Sequence, residues 1–341
     1  MPPTPPRRAT ATVLAALAMF VGTGLGHVYI GRTRRGVAWF FAPLAVFFAL
    51  AVLARPIGAT LGYGTWAALV VLGFVAVWGA AIVDVRRLAP MQPAAASTAR
   101  LVAFALAFFV GGRLTALPVR FLVLEAFKIP GTSMAPTLAS GDHIFVSKTH
   151  AAARGDVIVF AFPEHPDQDF VKRVLAVPGD VLETRNGRPW INGWEVPSCR
   201  VGPYSYLDDE TTHHDGELVV EYLGPHAYLT FYEKSAASPA AQGPFTAKEG
   251  EVWVVGDNRD NSHDSRWWYG GQGGGVPFPL IRGRALFVWL AFEPLGGIDY
   301  SRLGIDLDVP TLPQSARSLS GALEGCLRTR PPAEKTSPPA R

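Results

Sequence analysis

The apolar runs of this chain change character once, near residue 120, and that change constrains the fold more than any other feature. Before it the runs are long. Val37 to Ala54 and Thr65 to Val83 are each about long enough to cross a bilayer, at roughly 20 residues per helix. Leu101 to Leu117 is a third candidate that carries Arg113, which can snorkel or face other helices. A basic, Pro-rich start with Arg7 and Arg8 leads into a further apolar run, Ala11 to Val21. That run has the length of a cleavable signal peptide, but the spans that follow at once favour a retained membrane region. With Gly22, Gly24 and Gly26 at its end it either spans or only dips into the membrane, so three and four spans both stay open.

The arginines set the orientation. Arg32, Arg34 and Arg35 share one loop, and Arg86, Arg87 and Arg100 share another. Both loops are expected in the cytoplasm by the positive-inside rule. The helix at 101 to 117 then runs outward, and everything after it is exported. The Gly-rich stretch over 22–36, Gly-Thr-Gly-Leu-Gly-His-Val-Tyr-Ile-Gly-Arg-Thr-Arg-Arg-Gly, does not match GxGxxG and follows no strand, so it is not a dinucleotide loop. It resembles the Gly-His-Tyr-Gly segment of TM2-type membrane modules. Its glycines read as sites of close helix packing. His27, with no partner at ligand spacing, reads as interfacial rather than metal-binding.

After residue 121 the pattern is short strands and turns. Strand candidates are 121 to 129, 142 to 147, 156 to 162, 170 to 177, 181 to 184, 217 to 222, 227 to 232, 251 to 255 and 284 to 291. Ser140-Gly141-Asp142, Arg154-Gly155-Asp156, Pro178-Gly179-Asp180 and Asn186-Gly187 are turn signals between them. No long amphipathic helix appears, which predicts an antiparallel β domain. The expected layout is a membrane region over 1–120, a β domain over 121–310 and a disordered Pro/Ser/Arg-rich tail over 311–341. The net charge of +3 gives no reason to expect nucleic acid as a partner. Cys199 and Cys326 are compatible with one disulfide in an oxidising compartment, but a disordered tail around Cys326 favours two free thiols.

Three stretches carry the chemistry. Ile129-Pro130-Gly131-Thr132-Ser133-Met134-Ala135-Pro136-Thr137-Leu138 sets a serine between two prolines. Phe170-Val171-Lys172-Arg173-Val174-Leu175-Ala176-Val177-Pro178-Gly179-Asp180 sets a lysine in an apolar strand. Gly256-Asp257-Asn258-Arg259-Asp260-Asn261-Ser262-His263-Asp264-Ser265-Arg266 is a dense polar loop. In this order they resemble the type I signal peptidases, membrane serine proteases with a Ser/Lys pair, over roughly residues 121 to 295. The resemblance implies a mainly β catalytic domain of two β-sheet subdomains, one inserted into the other, with the insertion at about 185–250. It implies Ser133 as nucleophile and Lys172 as general base. It assigns Ser262 to a hydrogen bond that orients the amine, and Asp264 with Arg266 to a supporting salt bridge.

A serine hydroxyl needs a base to take its proton. A free lysine is protonated at neutral pH, so Lys172 must be desolvated to serve, at a cost on the order of 4 kcal/mol. Phe170, Lys172 and Val174 share one strand face, and Arg173 is expected to point to solvent. The oxyanion also needs donors. The Ser133 backbone N–H is one; where many family members have a serine two residues before the nucleophile, this chain has Gly131. The Gly131 N–H or the Thr132 hydroxyl can substitute. Met134 reads as a wall of the substrate pocket or as a packed residue. Trp267, Trp268 and Tyr269 read as membrane-surface or core residues.

The polar loop is not an EF-hand. Counted from Asp260, the sixth and twelfth positions hold Ser265 and Gly271 instead of glycine and glutamate. No metal or organic cofactor is expected. The resemblance implies preproteins with small residues at the first and third positions before the cut as substrates. The expected location is the inner membrane, multi-pass, with the catalytic domain on the exported side. An inactive protein that binds signal peptides without cutting is the alternative. A cytosolic Ser/Lys autoprotease would need a DNA-binding domain where the apolar runs stand.

Overall fold

The structure is a computed structural model that describes residues 9–16, 23–52, 63–89, 97–107, 109–110, 124–148, 152–208, 212–234, 239–293 and 296–332. The chain forms two compact units, Met1–Phe121 and Leu122–Arg341.

In the first unit, helices α1 (Thr33–Val52) and α2 (Tyr63–Leu88) pack on each other. Trp66 Nε1 donates to the Leu50 carbonyl at 2.7 Å. Two glycines show why small residues are needed. A Cβ on Gly24 would collide with the Gly36 carbonyl, and one on Gly73 would sit 2.8 Å from Val46. His27 is fully buried and hydrogen-bonded to Asp84 at 2.9 Å. Among the described residues one helix, Ala68–Leu88, is long and apolar enough to cross a membrane, and Thr98–Ala107 is a shorter apolar helix. The expectation of three or four spans is not met among these residues. Much of the first expected segment and of the segment at 101 to 117 lies outside them.

The second unit is built from antiparallel strands. They are β1 (Leu124–Lys128), β2 (Asp142–Ser147), β3 (Val157–Phe162), β4 (His165–Ala176), β5 (Val181–Arg185), β6 (Arg188–Ile191) and β7 (Trp194–Glu195). There follow β8 (Ser198–Leu207), β9 (His213–Leu223), β10 (His226–Glu233), β11 (Ala241–Thr246), β12 (Glu251–Val255), β13 (Val276–Pro277) and β14 (Ile281–Ala291). A seven-stranded sheet has the order β1-β2-β14-β3-β4-β12-β13. β3, with every residue buried, lies in its middle, as an unbroken apolar run requires. β4 and β12 are neighbours in this sheet, and the chain between them forms two smaller sheets, β10-β9-β8 and β11-β5-β6-β7.

The three Gly-Asp signals are one repeated device. Gly141, Gly155 and Gly179 have φ of 86°, 88° and 88°, which the third residue of a type II turn requires. Asp142, Asp156 and Asp180 each accept the backbone N–H three residues earlier. Each carboxylate also meets an arginine: Arg302, Arg284 and Arg154 respectively. In this way the turns become rigid corners of the β unit.

The C-terminal segment departs from expectation. Residues 314–319 form a 3-10 turn and Ser320–Arg328 form helix α3, so the tail is not disordered there. Its polar composition masks Ala316, Leu319, Leu323 and Cys326, which pack on Val201, Leu218, Val220 and Tyr222 of the β8–β10 sheet. Cys326 is joined to Cys199 in a disulfide with a Cα separation of 5.7 Å, so the free-thiol expectation is also corrected.

Candidate active site

Ser133 lies in the turn between β1 and β2. The residue after it, Met134, is fully buried among Ile129, Leu138, Ile144 and Val146. Met134 therefore anchors the turn in the core and does not line an open pocket. Among the described residues no group accepts from the Ser133 N–H, which leaves that donor available to an oxyanion. Gly131 is exposed, with open space where a Cβ would stand. The Thr132 hydroxyl accepts from Asn261 Nδ2 at 3.4 Å.

Lys172 arrives from β4 on the face that carries Phe170 and Val174, and its strand partner is Ile158. Its Nζ lies 2.7 Å from Ser133 Oγ and donates to the Val171 carbonyl at 2.9 Å. The amine sits 5.2 Å from the Phe170 ring centroid, and that ring is stacked on Phe162 at 4.5 Å. Lys172 is 4% exposed. Burial pushes its pKa down to about 8; the Asp264 and Asp257 carboxylates oppose this, and the Arg266 charge adds to the lowering. A lysine desolvated in this way spends part of its time as a neutral amine near physiological pH.

Arg173 is not at the surface. It is 1% exposed and forms a two-pronged pair with Asp257, Nε to Oδ1 at 2.8 Å and Nη2 to Oδ2 at 2.7 Å. Its guanidinium lies over the Tyr228 ring at 4.1 Å. Strand alternation placed it opposite Lys172; that face is covered by β10 rather than by solvent. Asp257 also accepts from Thr137 Oγ1 at 2.6 Å, which ties the loop to the end of the nucleophile turn.

The loop over 256–266 is held by two more buried pairs. Arg266 and Asp264 bond through two contacts of 2.8 Å each, and Arg259 meets both oxygens of Glu221 at 2.7 Å. Burial would raise the Asp264 pKa, but the Arg266 charge and hydrogen bonds, with the Gly256 N–H, hold it below the usual range. Ser262 Oγ lies beside that carboxylate, yet it meets full hydrogen-bond geometry with no described residue. The expected bond from Ser262 to the lysine amine is thus absent. A Cβ on Gly256 would strike both Ser262 and the Ser133 carbonyl oxygen, so only glycine lets the loop approach the nucleophile this closely. Trp268 is a core residue, fully buried, whereas Trp267 and Tyr269 are exposed. Among the described residues no cluster of three or more metal-ligating side chains occurs.

The sequence reading missed Asn258 and Tyr206 as site residues. Asn258 Nδ2 donates to the Thr132 carbonyl at 3.0 Å and to Tyr206 OH at 2.6 Å. Its place in the polar loop was visible, but its partner on β8 was not.

A family model for signal peptidase, peptidase S26, matches residues 98–290. The chain belongs to this family. It is 34% identical over 214 residues to a signal peptidase I of Pseudomonas fluorescens, covering 55% of this chain and 74% of that protein. A signal peptidase I of Aquifex aeolicus is 32% identical over 208 residues, covering 52% of this chain and 79% of the relative. A solved signal peptidase I from Enterococcus faecalis overlaps with 24% identity and a TM-score of 0.23, covering 40% of this chain and 97% of the other. As a member of the S26 peptidases the chain is a serine peptidase, and the juxtaposed serine and lysine lie inside the matched residues.

Proposed function

We propose that this protein removes signal peptides from exported preproteins, with Ser133 as nucleophile and Lys172 as general base. The observation that carries the reading is the 2.7 Å approach of a buried amine to a serine hydroxyl. When Lys172 is neutral, the Ser133 O–H donates its proton to Nζ while Oγ attacks the scissile carbonyl. The Val171 carbonyl holds one amine hydrogen and so helps aim the lone pair. The Ser133 N–H stabilises the oxyanion, with Gly131 N–H or Thr132 hydroxyl as the second donor. The protonated amine then returns its proton to the leaving amine, and water, activated by the same lysine, releases the acyl-enzyme. Asp264 and Arg266 keep the loop rigid beside the amine. The hydrogen bond between a half-buried serine and a buried lysine offers nothing in favour of an inactive binder.

The substrates are preproteins with small residues at the first and third positions before the cut. The first 120 residues anchor the protein in the inner membrane, and the β unit, with residues 185–250 as an inserted subdomain, works on the exported side. The disulfide supports that side, because such bonds persist in oxidising compartments. The test is incubation of the detergent-solubilised protein with a preprotein. Cleavage at a junction with small residues, abolished in Ser133→Ala, is expected; no cleavage by the wild type overturns the reading. For topology, a reporter after residue 150 is expected outside, and tags at 33 and 90 inside.

A further inference from the structure

The sheet β10-β9-β8 reaches the nucleophile turn through Tyr206. The contact runs through Asn258, whose Nδ2 carries two hydrogens. One goes to the Thr132 carbonyl and the other to Tyr206 OH. A carbonyl only accepts, so the amide must turn its nitrogen to Thr132. The Asn258 backbone N–H meets the Ser133 carbonyl at 3.2 Å. One asparagine thus holds the peptide groups on both sides of Ser133.

Tyr206 is itself fixed. Its ring stacks on His214 at 4.8 Å with 14° between planes, and meets Phe231 edge-on at 5.4 Å. His214 is gripped at 3.2 Å on one nitrogen by Asp208 and on the other by Glu233. The side chains of Asn261 and Thr132 lie beside the hydroxyl. Every group around the ring therefore points the hydroxyl at the polar loop.

We propose that Tyr206 is a positioning residue for Ser133, and that through it the sheet β8–β10 sets the alignment of the nucleophile with Lys172. This rests on Ser133 being the nucleophile. Without the hydroxyl, one Asn258 hydrogen loses its acceptor and the amide its fixed setting. Both peptides around Ser133 then gain freedom, and a misplacement of about 1 Å can cost on the order of a hundredfold in rate. The two rings beside the amine, Phe170 and Phe162, stand on β4 and β3, away from Tyr206.

The test uses the full-length protein in detergent and a peptide spanning a signal-sequence junction with alanine at the first and third positions before the cut. Tyr206→Phe is expected to lower kcat by about ten- to a hundredfold, with KM within about twofold and the acidic limb of the pH profile unmoved. His214→Gln, which keeps a polar partner for the carboxylates but removes the stack, is expected to give a smaller loss of the same kind. A kcat within about twofold of wild type in both variants, or a loss carried by KM, overturns the proposal. Should Tyr206→Phe fail to fold, His214→Gln alone decides in the same terms. Ser133→Ala separates the two claims: if it still cleaves, the nucleophile assignment fails; if it is dead while Tyr206→Phe is normal, only the positioning role fails.

Discussion

Arg173 and Asp257 form a buried pair on the side of β4 that Lys172 does not use. Neighbouring residues of one strand thus serve two ends. Lys172 meets the nucleophile, and Arg173 fastens the polar loop that packs against it. The arrangement couples the strand to the loop through a contact that solvent cannot screen.

Removing one partner leaves an uncompensated charge in the interior. Arg173→Ala or Asp257→Ala is expected to cost about 3–5 kcal/mol. In a unit of this size that is a fall in melting temperature on the order of 10 °C. Arg173→Lys keeps the charge but loses the two-pronged geometry, so it should fall between. Thermal unfolding in detergent, followed by near-ultraviolet dichroism, measures this; an unchanged transition in Arg173→Ala contradicts the role given to the pair.

The lowered lysine predicts a pH profile. With a pKa of about 8, kcat/KM should fall as pH drops through that value, since the protonated amine cannot accept a proton. Phe170→Ser opens the amine to water and should move the acidic limb upward, toward the free-lysine value near 10.4. Ser262→Ala should move the limb little, because burial sets the charge, and should cost little stability, because the Ser262 hydroxyl has no partner meeting full hydrogen-bond geometry. Stability follows the same ionisation. The folded pKa lies below the unfolded one, so burial of Lys172 penalises folding below about pH 8, and the penalty fades as pH rises to about 10.4. An acidic limb indifferent to Phe170→Ser would mean that another group sets it.

How far the chain could be read in advance follows from what each signal depends on. Ser133 and Lys172 sit in local motifs, and Phe170, Lys172 and Val174 share a face by simple alternation, so the dyad was legible. Asn186-Gly187 was legible as a turn signal, though the strand after it was not; the pair closes the β5–β6 hairpin, and both residues take positive φ, 49° and 75°, as a type I′ turn needs. β8 was not legible because Gly202-Pro203 interrupts its pattern; the strand carries a bulge just before them, between Arg200 and Gly202. With β8 went Tyr206. Arg173 was misplaced because alternation tells which face a residue takes, not what covers that face. The tail was misread because its apolar residues are few and spaced for one helix face, and their partners lie far away in the sequence, on the β8–β10 sheet. The pairing of Cys199 with Cys326 depends on that same packing.

The disulfide closes a long loop, with its cysteines 127 positions apart in the sequence. Chain-entropy arguments give such a link about 5 kcal/mol at most, and measured values are often smaller. Reduction, or Cys326→Ser, should therefore lower the melting temperature by several degrees and expose α3 to proteolysis. Limited digestion with and without reductant, read by mass spectrometry, checks this; identical cleavage patterns would mean that packing alone holds the segment.

The pairing of Ser133 with Lys172 is tested most directly by a double-mutant comparison of preprotein cleavage. Turnover is measured for wild type, Ser133→Ala, Lys172→Ala and the double variant, all in detergent at the same pH. Residues that act as one unit are not additive. Each single variant should lose essentially all activity, and the double variant should be no worse than either. Near-normal turnover by Lys172→Ala, or losses that multiply in the double variant, would contradict the dyad.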